Sequence, residues 1–387
     1  MAERALAHVE KIEWIRPIEG ADNIELIGVL GWVCIAKKGE FNVGDMAVYI
    51  EIDSKCPETD ERFAFLANKK FKVKTMKLGK FKVISQGLAL PLSLFPELQD
   101  KKIGDDVTEA LKITYASEED AARKTNKIDP NAKYKSMAKR RPKLFANPIV
   151  RRIMRYSIGR KIMFLLFGRK KDNPKKFPDW IVKTDETRIE NAPFYLQSTE
   201  KWIKTEKCDG TSCTFAVDRL KKGKNKFDFI VCSRNVRQAD REQACYHESN
   251  IYWELADKYD IEKILTQFAT ENNYNRVVLQ GEGVGSVQGN PYKFTENKLF
   301  VFNLIIDGIR LGTVEMADFC KSHGLTSVPI IDTAYELPKT MEEMKLEADG
   351  YSELNPKVKR EGFVYRSIDG QQSFKNVSRE YLLKHNG

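Results

Sequence analysis

The sequence predicts an α+β protein with a β-rich N-terminal domain, a basic connecting segment and a larger C-terminal domain that mixes strands and helices. Short runs rich in Val, Ile, Phe and Tyr, separated by glycines, occupy the first part of the chain. A strongly basic block without this alternation follows them. In the last part, strand-like and helix-like runs do not alternate strictly, which favours an α+β domain over a doubly wound sheet.

The N-terminal domain is predicted to be a small β-barrel of the five-stranded OB type. Residues 24–36, 46–52 and 71–90 are rich in strand-forming side chains, and glycines such as Gly31 and Gly44 separate them. Several short strands in a stretch of this length are typical of a barrel. OB barrels often bind nucleic acid in a groove, although a purely structural β-domain is an open alternative at this point.

The connecting segment concentrates the positive charge of the protein. Residues 123–171 contain 17 Lys and Arg and one acid, Asp129, so this block has a net charge of +16, whereas the whole chain has +10. Such a block is typical of a contact with nucleic acid or an acidic membrane surface, and a solvated linker fits the charge equally well. Within it, residues 149–167 predict a basic amphipathic helix that would lie on RNA, on a membrane or on a neighbouring domain.

The C-terminal domain begins near Phe177 and shows both periodicities. Strands are predicted at residues 198–217, 226–233, 276–280, 298–306, 362–367 and 372–377, and helices at 239–269 and 313–323. The predicted domains are therefore residues 1–112 for the OB-like barrel, 113–176 for the basic linker and 177–387 for the mixed domain.

Composition excludes several classes of protein. The chain has seven cysteines without a CxxC pair and four scattered histidines, so neither a disulfide scaffold nor a zinc site is expected. No apolar run approaches the length of a membrane span, and the first residues lack the pattern of a secretory signal. We expect a protein of the reducing cytoplasm.

The strongest chemical motif is the string KCDG, in which Lys207 ends a predicted strand and Asp209 and Gly210 follow. A lysine attacks phosphorus only as the free amine, which requires a lowered pKa through a nearby cation or desolvation. A glycine lets the backbone approach a bound ligand closely. Four common residue types also meet by chance in surface turns, so the motif gains its weight from the strings that follow it.

Four further strings follow KCDG in the chain. They are SRN with Arg234, GEGVG with Glu282, EGFVY with Glu361 and SFK with Lys375. Each has an ordinary interpretation as a surface cation, a turn or an edge-strand charge. Together and in this order, they resemble the motifs of the covalent nucleotidyltransferases, the superfamily of ATP-dependent ligases and mRNA capping enzymes.

Within that superfamily the chain is most similar to RNA ligases. GSVQGNPY at residues 285–292 and KTDETRIEN at 183–191 resemble RNA ligase signatures, and VYIEID and ISQGLALP are similar to the OB-like domain of the Naegleria-type RNA ligases. That family places the OB-like domain before the catalytic domain. The resemblance therefore implies an OB-like barrel followed by an α+β nucleotidyltransferase domain, an ATP-grasp-like ligase domain.

The resemblance implies three nucleotidyl transfers, with ATP and Mg²⁺ or Mn²⁺ as cofactors. Lys207 would attack the α-phosphorus of ATP to form lysyl-AMP, AMP would pass to an RNA 5′-phosphate, and a 3′-hydroxyl would then displace AMP. The expected partner is RNA, as a nicked duplex with 3′-OH and 5′-phosphate ends. We expect a monomer without stable membrane association.

The resemblance also assigns roles to individual residues. The implied catalytic residues are Lys207, Asp209, Glu361 and Lys375; the implied cofactor-binding residues are Glu206, Arg188, Arg234, Glu282, Phe302 and Lys375; and the metal would be held, through water, by Asp209, Glu282 and Glu361. Phe302 would stack on adenine, Arg188 would contact the ATP β- and γ-phosphates, and Lys375 would neutralise the α-phosphate.

Two positions depart from the family pattern. Val377 stands where many ligases have a second lysine in the fifth motif, and Ser212 stands where the phage RNA ligase 2 group has an asparagine. Two alternatives remain open: an ATP-dependent DNA or mixed-duplex ligase, and a non-catalytic nucleic-acid-binding OB protein with a decayed transferase domain.

Overall fold

The fold is given by a computed structural model of the chain, which describes residues 5–116, 142–167, 175–221, 226–238 and 250–385. None of the helices in these ranges combines the length and the apolar character needed to cross a bilayer.

The N-terminal domain is an OB fold, as the sequence predicts. The strands are β1 Ala7–Pro17, β2 Ile24–Val29, β3 Trp32–Lys37, β4 Met46–Ile50, β5 Ser54–Lys55, β6 Met76–Leu78, β7 Val83–Ser85, β8 Leu88–Pro91 and β9 Thr114–Tyr115. Five of them form one sheet in the order β3-β2-β1-β4-β8; β6 and β7 form a short hairpin, and β5 pairs with the distant β9.

The sequence analysis missed β1 and treated residues 71–90 as one strand-rich run. β1 is the longest strand of the domain and the centre of its sheet, since it pairs with both β2 and β4. Charged residues such as Glu10 and Lys11 interrupt its apolar pattern. The run 71–90 contains three short strands, because Lys82 and Gly87 adopt positive φ angles of 55° and 97° that break strand geometry.

The described part of the basic segment is helical and consists of three short helices. They are α1 Pro142–Ala146, α2 Pro148–Arg155 and α3 Ser157–Phe167. The predicted single helix over residues 149–167 is wrong in one respect, because it is interrupted at Tyr156, whose ψ of 140° is extended. Met163 packs against residues of α1 and α2, whereas Ile158, Ile162 and Leu165 lie exposed along α3.

The C-terminal domain is α+β and is built on two sheets. The larger has the order β10-β15-β14-β13-β16-β17-β18 and the smaller β11-β21-β20-β12-β19. The strands are β10 Lys175–Lys176, β11 Thr187–Arg188, β12 Trp202–Glu206, β13 Thr211–Arg219, β14 Phe227–Cys232, β15 Val236–Arg237, β16 Arg276–Val284, β17 Lys298–Ile306, β18 Ile309–Arg310, β19 Ile330–Tyr335, β20 Gly362–Ser367 and β21 Ser373–Val377.

Helices cover one face of the larger sheet and support the smaller one. They are α4 Ile251–Lys258, α5 Ile261–Glu271, α6 Thr313–Ser322, α7 Met341–Ala348 and α8 Arg379–His385. The helix predicted over residues 239–269 is divided at Asp260, which has a left-handed φ of 48°, and its residues 239–249 lie outside the described ranges. Leu255, Leu265 and Phe319 pack against Phe215 and Leu279 of the sheet in the main core of this domain.

The OB domain packs directly on the smaller sheet. Val377 at the end of β21 and Leu382 of α8 join the OB core around Trp32. The backbone N–H of Gly31 donates to the Glu190 carbonyl oxygen at 2.8 Å. This contact places one wall of the OB domain beside the edge of the C-terminal domain where β11 and β21 lie in parallel register.

Candidate active site

A pocket of about 550 Å³ opens where the two sheets of the C-terminal domain meet the OB domain. Every residue that the sequence analysis assigned to the site lines it. These residues are Arg188, Glu206, Lys207, Asp209, Arg234, Glu282, Phe302, Glu361 and Lys375. The OB domain adds Asp53, Lys72, Lys74 and Tyr115 to the lining.

Lys207 lies at the crossing between the two sheets. It follows the last residue of β12 in the smaller sheet, and β13 of the larger sheet begins at Thr211. Gly210 is required at this crossing, because a Cβ there would lie 2.4 Å from the carbonyl oxygen of Gly283. The string KCDG is therefore a tight connection that holds the lysine between the sheets.

The Lys207 side chain faces acidic residues. Its Nζ lies 2.8 Å from Glu361 Oε1, and both side chains are largely buried. Burial lowers the pKa of Lys207, but the charges of Glu361 and Glu282, the hydrogen bond that Lys207 donates to Glu361 and the charge of Asp209 together raise it above the ordinary value. The raised pKa keeps Lys207 protonated at neutral pH, so this lysine must lose a proton before it can act as a nucleophile.

Glu282 has a strongly perturbed pKa. It lies on β16 opposite Ser212 of β13. Its pKa is raised to about 8, mainly by burial; the charge of Lys207 opposes the rise, and the charges of Glu361 and Asp209 add to it. The carboxylates thus repel one another, which is the situation that a bound cation relieves.

Asp209 is held by its neighbours. Its backbone N–H donates to the Tyr292 hydroxyl at 2.7 Å, and the Tyr381 side chain of α8 hydrogen-bonds with it. Across the described ranges, no three His, Cys, Asp or Glu side chains converge closely enough to hold a metal ion directly. The carboxylates near Lys207 fit a hydrated cation, held through water, better than a directly ligated one.

Cations also line the pocket. Lys375 Nζ lies 2.6 Å from Asp185 Oδ1, and Arg234 Nη2 lies 3.3 Å from the other oxygen of the same carboxylate. Arg234 is exposed, whereas Lys375 is buried on β21. Asp185 therefore connects the two cations that the sequence analysis assigned to the nucleotide.

Arg188 is buried at the boundary between the domains. It stands beside Lys375 in the parallel pair of β11 and β21, and its Nη2 donates to Asp53 Oδ2 of the OB domain at 3.2 Å. The Nε and Nη1 atoms have no hydrogen-bond partner among the described residues, although the side chain is only 6% exposed. Buried guanidinium donors of this kind suit an anionic ligand.

Phe302 and Glu206 contribute in different ways. Phe302 lies on β17 and lines the pocket, and its carbonyl oxygen accepts a hydrogen bond from Arg366. The Glu206 carboxylate is 1% exposed and accepts hydrogen bonds from the Ser352 hydroxyl and the Glu353 backbone N–H. The Glu206 carboxylate thus holds residues 352–353 in place. Any contact between Glu206 and a cofactor would therefore be made by its backbone atoms.

Sequence reasoning missed three residues of the site. Asp185 bridges Lys375 and Arg234, Asp53 pairs with Arg188, and Tyr381 contacts Asp209. Asp185 lies inside the motif KTDETRIEN, so the sequence marked this region as part of the site. The motif did not indicate that its aspartate would pair with cations of the pocket. Asp53 and Tyr381 come from the two ends of the chain, and no local pattern connects them with the motifs.

Comparisons with known proteins agree with this geometry. A family model described as an OB-fold domain matches residues 6–92, and one described as RNA ligase matches residues 200–384. A structure of the RNA ligase of Naegleria gruberi in the apo form is 30% identical, with a TM-score of 0.75, and the match covers 100% of this chain and 99% of that one. No curated protein matches the chain significantly.

Other structures of the Naegleria gruberi enzyme contain ligands. One with pyrophosphate is 31% identical with a TM-score of 0.75, and covers 99% of each chain. One of a lysine variant with ATP and Mn is 30% identical with a TM-score of 0.74, and covers 98% of this chain and 99% of that one. An OB fold joined to a domain with a lysine-bearing, acid-lined pocket is the arrangement of a covalent nucleotidyltransferase, and the RNA ligase matches place the chain among the polynucleotide ligases. The chain belongs to the RNA ligase family, as an ATP-dependent ligase of the Naegleria type.

Proposed function

We propose that the protein seals RNA nicks with 3′-hydroxyl and 5′-phosphate ends through lysyl-AMP and AMP–RNA intermediates. The observation that carries the proposal is the Lys207–Glu361 pair in an acid-lined pocket, which Lys375 and Arg188 also line, in a chain of the RNA ligase family. The cofactors are ATP and Mg²⁺ or Mn²⁺, as the ligands of the Naegleria gruberi structures support.

In the first transfer, Lys207 would attack the α-phosphorus of ATP and expel pyrophosphate. The lysine must first lose a proton, and its acidic neighbours oppose this. A divalent cation bound near these carboxylates would supply positive charge that favours the free amine and offsets the charge of the triphosphate. Asp209, Glu282 and Glu361 would hold it, and Glu361 is also positioned to keep Lys207 in place.

On the phosphate side, Lys375 would neutralise the α-phosphate and Arg188 would contact the β- and γ-phosphates. Arg234 would bind the ribose or a phosphate, and Phe302 would stack on adenine. The absence of a lysine at Val377 fits the packing there, because this side chain is 3% exposed in a core shared with the OB domain. Arg188 offers buried donors beside Lys375 that the missing lysine would otherwise supply.

Residue spacing supports these roles. The Naegleria gruberi structures include variants of a lysine and an aspartate two positions apart, and of a glutamate and a lysine 14 positions apart. Lys207 and Asp209 have the first spacing in this chain, and Glu361 and Lys375 have the second.

In the second and third transfers the same residues would act on RNA. AMP would move from Lys207 to the RNA 5′-phosphate, and the 3′-hydroxyl would then attack that phosphate and release AMP. Each step is an in-line displacement, so the contribution of the protein is positioning and charge neutralisation. The RNA ligase family favours RNA over the alternative of a DNA or mixed-duplex substrate.

We further propose the domain division 1–112, 113–176 and 177–387, with the first boundary moved past β9, because Thr114 and Tyr115 pair with β5 of the OB domain. The matches to residues 6–92 and 200–384 support the order of the two domains. A monomer in a reducing compartment is also part of this proposal. The six cysteines of the described ranges are buried and unpaired, which fits such a compartment.

The test combines two assays on the purified full chain. Incubation with ATP labelled at the α-phosphate, followed by denaturing electrophoresis, should give a labelled protein, and GTP should not. The adenylylated protein should then seal a nicked RNA duplex faster than a nicked DNA duplex, a mixed duplex or a single strand. A nick with a 5′-hydroxyl is the matched control and should not be sealed. Preferred sealing of the DNA nick would favour the alternative.

A further inference from the structure

Residues 183–188, here called the strap, run along the pocket. Successive side chains of the strap contact different strands of the C-terminal domain. The Thr184 hydroxyl lies 3.1 Å from that of Ser212. Glu186 accepts hydrogen bonds from Arg366 at 3.2 Å and from the Ser373 hydroxyl. The strap is thereby fixed on both sides of Asp185.

Asp185 is the strap residue that faces the nucleotide cations. One carboxylate oxygen lies 2.6 Å from Lys375 Nζ and the other 3.3 Å from Arg234 Nη2. The Asp185 carboxylate thus bridges a lysine and an arginine with its two oxygens. A phosphate group contacts lysine and arginine side chains in the same way. The Asp185 side chain is 31% exposed, so it borders the solvent-filled part of the pocket.

We propose that Asp185 is an internal competitor of the nucleotide phosphate, which occupies Lys375 and Arg234 in the empty enzyme and leaves them when ATP binds. This inference rests on the proposed function, because it uses the assignment of both cations to the nucleotide. It adds a residue that sets nucleotide affinity.

Electrostatics explains why the carboxylate leaves. A phosphate at Lys375 and Arg234 would lie close to Asp185 if its carboxylate stayed, and two anions sharing one pair of cations repel each other. The exposed side of Asp185 gives its carboxylate a route into water, where its charge is solvated. The anchors at Thr184 and Glu186 confine this movement to the side chain, so the strap itself need not move.

The exchange has two consequences for the reaction. ATP binding must break the contacts of Asp185, which lowers nucleotide affinity. The same carboxylate can return to Lys375 and Arg234 when AMP is released after sealing, which favours product release. Because binding linkage is reciprocal, both effects arise from one competition.

The test is nucleotide affinity in Asp185→Asn, which removes the charge and keeps the size. ATP binding is measured by calorimetry in the Lys207→Ala background, in which no lysyl-AMP forms. We expect ATP and AMP to bind about 10-fold more tightly, within the usual range of coupling between competing contacts. In the background with Lys207 intact, the KM for ATP in lysyl-AMP formation should fall.

The matched control is Asp179→Asn, which removes an exposed acid paired with Lys176 away from the pocket lining and should leave ATP affinity unchanged. Unchanged or weaker ATP binding in Asp185→Asn would overturn the proposal, and so would a fall in the saturating rate at constant KM. Asp185→Ala is the second variant if Asp185→Asn does not fold. Absence of lysyl-AMP in the parent would instead contradict the proposed function, so the two failures are distinguishable.

Discussion

The active-site pocket and the helical segment of α1, α2 and α3 both carry dense charge, but they arrange it in opposite ways. In the pocket, charges of opposite sign are paired between elements that are distant in the chain. Lys207 pairs with Glu361, and Lys375 with Asp185. In each pair the structure compensates a charge that would be costly to bury alone.

The helical segment contains charge of one sign. Arg151, Arg152 and Arg155 are exposed on α2, and no acid occurs between residues 142 and 167. Its positive charges can attract a distant polyanion together, but none of them is fixed at a precise point by a carboxylate of the same segment. Paired charges that are held in fixed positions can act on individual atoms of a substrate. A cluster of charges of one sign instead attracts a polyanion without fixing its position. Substitutions should therefore have large, specific effects in the pocket and small, additive effects in the segment.

The largest effect is expected for the nucleophile. Lys207→Ala should lower lysyl-AMP formation and the sealing of 5′-phosphate nicks by about 10⁴-fold or more, because the substitution removes the amine to which AMP is transferred. The variant should still seal RNA that is already adenylylated, since that substrate bypasses the lysine. The measurement is labelled-ATP transfer beside single-turnover sealing. A covalent AMP adduct on Lys207→Ala would show that another residue is the nucleophile.

A smaller loss is expected for the carboxylates near the lysine. Asp209→Ala, Glu282→Ala and Glu361→Ala should each lower lysyl-AMP formation by about 10²-fold, because each weakens the site for a hydrated divalent cation. EDTA should stop the reaction in the parent, and Mg²⁺ or Mn²⁺ should restore it.

The control for the carboxylates is Glu336→Ala, which removes an acid that is 75% exposed and outside the pocket lining. Its activity should equal that of the parent. Full activity in EDTA, or three carboxylate variants that behave like this control, would contradict the metal assignment.

Much of the site was predictable because its residues belong to short sequence motifs. KCDG, GEGVG, EGFVY and SFK place Lys207, Glu282, Glu361 and Lys375, and all four side chains line one pocket. The motifs are recognisable because strands near Lys207 approach one another so closely that some positions require glycine. A Cβ at Gly281 would lie 2.7 Å from the Phe300 carbonyl oxygen, so the strand tolerates few substitutes there.

The rest of the site was not predictable, because it depends on contacts between distant parts of the chain. Asp53 reaches Arg188 only because the OB domain docks on β21. The central strand β1 was missed because its first four residues are all buried and its later residues alternate, with charged residues such as Glu10 and Lys11 among them, so that it follows no single period. Burial of Val377 against the OB core likewise follows from docking and not from any local pattern.

The pH dependence of the first step should show how strongly the pocket controls its lysine. The charges of Glu361, Glu282 and Asp209 outweigh the effect of burial and raise the pKa of Lys207, so the reactive amine becomes more abundant as pH rises. The rate of lysyl-AMP formation should therefore increase between about pH 6 and 9. More Mg²⁺ should move this rise to lower pH, because a cation favours the free amine.

A variant sharpens this pH prediction. The pKa of Glu282 is raised to about 8, so this residue carries its full negative charge only above that pH. Glu282→Gln should therefore lower the pKa of Lys207 and move the upper part of the rise, above about pH 8, to lower pH, although the maximal rate is smaller. The measurement is a single-turnover pH profile at fixed Mg²⁺ for both proteins. A profile that is flat over this range, or one that Glu282→Gln moves to higher pH, would contradict the interpretation.

The smallest effect is expected in the helical segment, where we predict an interaction with the phosphates of RNA. Replacing Arg151, Arg152 and Arg155 together by Gln should weaken RNA binding and reduce the slope of log affinity against log salt concentration by about one unit for every arginine that binds a phosphate in the parent. Lysyl-AMP formation should stay near normal, because these side chains lie outside the pocket lining. The measurement is a salt titration of RNA affinity for the triple variant and the parent. An unchanged slope would mean that the segment is a solvated linker, because a residue that touches a phosphate must release counterions when it binds.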